Sequence, residues 1–337
     1  MAIISELVNK YKTLSVVGMA KNAGKTTTLN YLIEEAADEG INIGVTSTGR
    51  DGEVIDVVTG TDKPRVYLYP ETLVSVPKDL FGRASAGLEI LKMTKYHTSI
   101  GPVMICKVVD SGYVQIAGPV LTSQQQDLAR DMLSLGAEII LIDGAIDRKA
   151  IASPKASDAI ILATGAVLSR SIQKVAEETA HTVALYSISE IGDINTKSIF
   201  AKSDKIMTAG KKSVQELDIE TALAASSVID ASINEETEYV YIPGALTDST
   251  IANIHPKKFK NTKFVVKDPT KIFLNSDEWQ KLRKKGFTVN VLEKINIAAI
   301  SVNPVSPQGY AFEHKELTQA IEQVVPDIRI INVKMPI

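Results

Sequence analysis

The chain has 337 residues, 45% of them apolar and 23% charged, which gives room for one large α/β domain and a smaller one and excludes a disordered or fibrous protein. Lysine and arginine total 37 against 40 acids, a net charge of −3 with no basic stripe, so nucleic acid is not an expected partner. The single Cys106 excludes an internal disulfide and a cysteine-built metal cluster, charge appears too early in Met1–Glu6 for a signal peptide, and no apolar run reaches a membrane-spanning length; a cytoplasmic protein with no membrane segment is expected.

Residues 5 to 12 predict a short polar helix, and Leu14 to Val17 a strand. That strand breaks into a loop of small residues, Gly18 to Gly24. Lys25, Thr26 and Thr27 then open an amphipathic helix with Leu29, Leu32 and Ile33 on one side. This is the order of a phosphate-binding loop. Small side chains at Gly18, Ala20, Ala23 and Gly24 let successive backbone N–H groups reach phosphate oxygens, and the helix N-terminus adds partial positive charge. Lys25 is expected to neutralise the β- and γ-phosphates, Thr26 to ligate Mg²⁺ and Thr27 to reach the α-phosphate, with Gly18, Lys21, Asn22, Ala23 and Gly24 completing the nucleotide contacts. The competing reading is a Gly-Lys-Thr helix start that binds nothing. The usual spacing would put the first glycine at position 19, where this chain has Met19. Either the loop is one residue longer than the common form or Met19 is tolerated at the turn.

A second strand, Ile43 to Ser47, runs into Thr48-Gly49-Arg50-Asp51-Gly52-Glu53. Where the second strand adjoins the first, the loop after it commonly carries an acid that holds Mg²⁺ or orients the nucleophile. Asp51 is the first candidate and Glu53 the second, with Arg50 placed for a phosphate; a tight Asp-Gly turn is the alternative. Residues 54 to 80, rich in Val, Thr, Pro and Tyr, predict an irregular insertion of short strands. The spacing of Ala84, Leu88, Leu91 and Met93 predicts a helix over 81–96. Strands are expected over 103–109 and 114–119, and an amphipathic helix over 122–135.

Ala137 to Gly144 is an apolar strand ending in Asp143, the shape of a Walker B strand. Asp143 would emerge at the carboxyl end and hold Mg²⁺, the alternative again being a buried strand that ends in an Asp-Gly turn. Asp147 and Arg148 are candidates for a switch that follows the γ-phosphate, against a solvated loop. A strand over 157–166, a helix over 171–179 and a strand over 181–186 complete the alternation. The expected fold class is therefore α/β, a mostly parallel, doubly wound P-loop NTPase sheet with nucleotide at the carboxyl ends of its strands.

A break near residue 187 predicts a nucleotide-binding domain over 1–187 and a smaller C-terminal α/β region over 188–337, a candidate partner or ligand surface. Strands are expected at 205–208, 239–242, 263–267 and 287–292, and helices over 276–285 and from about His314, the latter preceded by an apolar run over 297–302. Residues 242–250 repeat the strand, Gly loop, helix layout without a lysine, either an anion site or a plain turn. The nearest approach to the Asn-Lys-x-Asp guanine motif, Ala201-Lys202-Ser203-Asp204, lacks the asparagine that reads the base. ATP is expected over GTP.

Lys21 resembles the additional lysine of the dimerising ATPases of the MinD and nitrogenase iron protein type, which implies a nucleotide-bridged homodimer. More of the chain is similar to the KamB-type subunit of lysine 5,6-aminomutase reactivases. The likeness is carried by Val17 to Thr27, Thr46 to Glu53, Leu141 to Arg148 and Asn303 to Tyr310. It implies an ATP-dependent reactivation chaperone for an adenosylcobalamin enzyme of lysine degradation, working with a second reactivase subunit and the aminomutase. The loop, the Thr-rich segment after the second strand and residues 163–166 also resemble the dethiobiotin synthetase group, which implies a small-molecule ligase or kinase. On either resemblance Lys25, Asp51 and Asp143 are the expected catalytic residues, and Thr26, Asp51 and Asp143 the Mg²⁺ site.

Overall fold

The computed structural model describes residues 2–48, 66–98, 100–144, 157–211, 213–219 and 225–333. Two compact units emerge, Met1–Thr179 with Ile297–Ile337, and Ala180–Asn296. The expected single boundary near 187 is thus corrected. The second unit is an insertion, and the chain returns to the first sheet at Ile297 and adds two strands to it.

The first unit is built on a nine-stranded sheet. Its strands in chain order are β1 (Thr13–Gly18), β2 (Ile43–Thr48), β3 (Leu73–Pro77), β4 (Gly87–Thr98), β5 (Gly101–Asp110), β6 (Ile139–Gly144), β7 (Ala159–Gly165), β8 (Ile297–Asn303) and β9 (Ile330–Asn332). Across the sheet they run β9-β8-β7-β1-β6-β2-β3-β5-β4. Every pairing from β9 to β3 is parallel, while β5 and β4 join as an antiparallel extension. The fold class is therefore α/β with a large mixed, mostly parallel sheet. The second strand does not adjoin the first, as the argument for Asp51 supposed: β6 lies between them.

Five helices are named here: α1 (Ile3–Val8), α2 (Lys25–Asp38), α3 (Thr122–Ser134) and α5 (His314–Val324) in this unit, and α4 (Ile172–Tyr186), which belongs to it up to Thr179. The central strands are apolar on both faces because both are covered. Leu29, Leu32 and Ile33 of α2 pack with Ile139 and Leu141 on one face, and Leu128 and Met132 of α3 with Ile140 and Ile142 on the other. Each such fully buried aliphatic side chain contributes about 1.5–3 kcal/mol relative to exposure. Cys106 belongs to this core. Burial pushes its thiol up to about 11, which fits a structural residue and not a nucleophile.

Two expected elements change type. The helix expected over 81–96 is the strand β4. It lies at the sheet edge, paired on one side only, and its register with β5 shifts at three places. An edge strand with bulges buries too little to show a clean two-residue alternation, so apolar residues there fell by chance at helical spacing. The strand expected over 181–186 is the continuation of α4. Val175, Thr179 and Val183 are buried at four-residue spacing, and that face outweighs the strand propensity of the Thr182–Tyr186 run. The strand expected over 114–119 shrinks to Gly112–Val114, paired with Val66–Leu68.

The second unit carries a five-stranded sheet. Strands Thr237–Ile242, Lys263–Val266 and Thr288–Val291 run parallel, and Met207–Gly210 pairs antiparallel with the first of them. Phe259, Phe264, Phe287 and Trp279 meet edge-on or tilted, with centroids 4.7–6.5 Å apart, at the heart of its core. Ala201–Asp204 lies in this unit, outside the nine-stranded sheet. Among the described residues, no helix is long and apolar enough to cross a membrane.

Candidate functional site

The candidate site is the loop between β1 and α2. Strand pairing continues one residue past Gly18, for the Met19 amide donates to the Ala163 carbonyl at 2.9 Å. Met19 thus ends the ladder and does not occupy the turn. The turn follows at Ala20–Ala23, where the Ala23 amide donates to the Ala20 carbonyl at 3.3 Å. Asn22 and Gly24 both take left-handed backbone conformations, φ 64° and 101°. Asparagine tolerates that region and glycine adopts it freely, so these two residue types are what the turn requires.

Gly24 is the N-cap of α2 and offers no side chain to it. The N–H groups of the first turn are left to the loop or to a ligand. The Thr28 amide donates to the Gly24 carbonyl at 2.9 Å, and the Thr28 hydroxyl lies at the same distance from it. A methyl group placed on Gly18 would stand 3.0 Å from Lys25 Cγ, so the stem of Lys25 folds back over the end of β1. Lys25, Thr26 and Thr27 are half-buried, whereas Lys21 is exposed.

Asp143 reaches the same edge on the same face. In register it lies between Val16 of β1 and Ser47 of β2. Side chains alternate along a strand, and Leu141 packs on the α2 side. Asp143, two residues on, therefore shares the face that α2 begins on. It is half-buried, and its carbonyl lies 3.4 Å from the Thr48 hydroxyl. The structure thus brings Gly18, Asn22, Ala23, Gly24, Lys25, Thr26, Thr27 and Asp143 to one carboxyl edge. Arg50, Asp51, Glu53, Asp147 and Arg148 lie outside the described residues.

Residues without an expected role border the loop. A small crevice beside the start of α2 is lined by Ala23, Gly24, Thr27, Ser301, Asn303 and Val333. The Asn303 side-chain amide donates to the Asn22 carbonyl at 3.3 Å, and the hydroxyls of Thr28 and Ser301 lie 2.7 Å apart and buried. Further along the edge the Tyr310 hydroxyl donates to the Ala166 carbonyl at 2.5 Å, with the Arg170 guanidinium 5.2 Å above the Tyr310 ring. Asn303 and Tyr310 stood in the sequence as part of a resemblance only; nothing in local pattern joins them to a loop near residue 22.

The lysine-free repeat at 242–250 does not form a second site of this kind. Its helix, Asp248–Ile251, has four residues, and Thr247 and Thr250 cap one another in a closed box. The Thr250 amide is taken by the Thr247 hydroxyl and the Thr247 amide by the Thr250 hydroxyl.

The donor set fits a nucleotide phosphate with a hard divalent cation. The loop combines a left-handed turn, a helix start with no side-chain cap and two lysines, the exposed Lys21 and the half-buried Lys25, and the nearby oxygens are hydroxyls and a carboxylate. Comparison with family models, with curated proteins and with solved structures returns no match.

Proposed function

We propose that this chain is a P-loop NTPase that binds ATP with Mg²⁺ and acts as an ATP-dependent reactivation chaperone for an adenosylcobalamin-dependent lysine 5,6-aminomutase, in the cytoplasm and with a second reactivase subunit. One observation supports the nucleotide part above all. The Gly18–Gly24 loop runs, with left-handed turns at Asn22 and Gly24, into an uncapped helix at the edge and on the face where Asp143 emerges. Lys25 would neutralise the terminal phosphates, and Thr26 and Asp143 would hold Mg²⁺.

The chaperone part rests on the likeness of residues 17–27, 46–53, 141–148 and 303–310 to KamB-type subunits. It is physically coherent. A damaged cofactor held in a closed protein leaves only when some ligand favours the open state, and nucleotide binding or hydrolysis supplies the differential free energy.

The test is ATP hydrolysis by the purified chain, with and without inactivated aminomutase and the second subunit, while cobalamin release is followed. Weak basal turnover that rises on adding the partners, together with release, is the expected result. Turnover that ignores both proteins but responds to a carboxylate or amine substrate would transfer the assignment to the dethiobiotin synthetase-like reading.

Asp143 has a separable role on this proposal. Asp143→Asn keeps the size of the side chain and removes the charge that would hold Mg²⁺. ATP affinity should stay within about twofold while Mg²⁺-dependent turnover falls about 10²-fold. Equal turnover would remove Asp143 from the site.

A further inference from the structure

We infer that Asn303, the last residue of β8, is the positioning residue that holds the Gly18–Gly24 loop in its ligand-ready shape, with Ser301 as its support two residues earlier. The inference deepens the nucleotide reading, and its first measurement stands without that reading.

The geometry is that of a slot between two glycines. A Cβ added to Gly24 would meet Asn303 Cβ at 2.9 Å and its Cγ and Nδ2 at 3.4 Å. On the other side, a Cβ added to Gly165 would stand 2.0 Å from the Asn303 carbonyl oxygen. Asn303 is thus seated against the backbone of the loop and the backbone of β7 together. Its amide is used at both ends, for Nδ2 donates to the Asn22 carbonyl at 3.3 Å and Oδ1 accepts from the Val305 amide at 3.1 Å. The Thr28 hydroxyl donates to the Ser301 hydroxyl, and the Thr28 amide donates to the Gly24 carbonyl. The carbonyls of both left-handed residues, Asn22 and Gly24, are therefore tied to β8, one directly and one through Thr28.

A purely local asparagine would serve only its own turn, through the Val305 amide. The bond to Asn22 spans 281 residues and ends on the one non-glycine residue of the loop with positive φ. Such a conformation persists where its surroundings over-determine it, and a set of N–H groups binds an anion well only when already arranged. The strand that returns from the second unit supplies that restraint.

The test compares Asn303→Ala and Asn303→Ser with the wild-type chain. Hydrogen exchange of the buried Ala23 amide, which donates to the Ala20 carbonyl within this turn, should quicken at least about tenfold in both variants, the expected effect of losing one such bond, while exchange in Ile139–Ile142 stays unchanged. Unchanged exchange at Ala23 would overturn the positioning role. ATP affinity should fall about tenfold with adenosine affinity unaltered. An equal loss for adenosine would assign Asn303 to the nucleoside instead and overturn the proposal. If the wild-type chain binds no ATP, the nucleotide reading alone fails, and the exchange measurement still decides the restraint.

Discussion

Replacing Lys25 by methionine should abolish measurable ATP binding and leave the fold intact. The side chain has two jobs that the substitution separates. Its stem lies over Gly18, close enough that a methyl group there would stand 3.0 Å from Cγ, and methionine supplies an unbranched stem of similar reach. Its ammonium is the charge the proposal places on the terminal phosphates. Charge-assisted hydrogen bonds contribute about 1.5–3 kcal/mol each, and a lysine between two phosphates makes more than one, so affinity should drop by at least about 10²-fold. Lys25→Ala should lose the same affinity and also some stability, because it removes the stem. Isothermal titration with ATP and a thermal melt of each variant distinguish the two effects. Wild-type affinity in Lys25→Met would remove Lys25 from nucleotide binding, and with it the assignment of this loop as a phosphate site of the expected kind.

The loop was legible before the fold because its signal is local. A β-branched run, small residues and an amphipathic helix change period within twenty residues, and each period forces an element. Asp143 was legible for a related reason: four consecutive apolar residues ending in an acid describe a strand buried on both faces whose end reaches the sheet edge. The errors fell where period is weak. Strand β4 sits at an edge with bulges, and the end of α4 is a run of Thr, Val, Leu and Tyr whose propensity points one way and whose buried face points the other. The inserted unit left no mark at Ile297, because re-entry to a parallel sheet needs only another apolar strand, and 297–302 reads in the sequence as an apolar run with no means of telling which sheet it joins. Asn303 was the least legible of all. Its role lies in contacts with Gly24, Gly165 and Asn22, and no periodicity reports a contact across 281 residues.

Gly165 offers the sharpest test of that arrangement, because its crowding is backbone against backbone. Gly165 and Asn303 are register partners in neighbouring parallel strands. The ideal Cβ of an alanine at 165 falls 2.0 Å from the Asn303 oxygen, 2.8 Å from its carbonyl carbon and 3.0 Å from its Cβ. A flexible side chain would turn aside; a carbonyl in a strand does not. Relief requires β8 to part from β7 at its carboxyl end, and that movement draws Asn303 off Gly24 and releases the Asn22 carbonyl. Gly165→Ala should therefore cost about 3 kcal/mol, the upper part of the range for overpacking, and lower Tm by about 10 °C for a unit of this size. Gly82→Ala is the matched control, since nothing lies within 4 Å of a Cβ there and its φ is −73°; its Tm should be unchanged within about 2 °C. The two effects of Gly165→Ala are then linked by one displacement. If β8 holds the loop, the Ala23 amide should exchange faster in this variant even below its Tm, as in Asn303→Ala. A destabilised Gly165→Ala chain with wild-type exchange in the loop would mean that β8 can move without the loop following, and that the restraint runs through α2 alone.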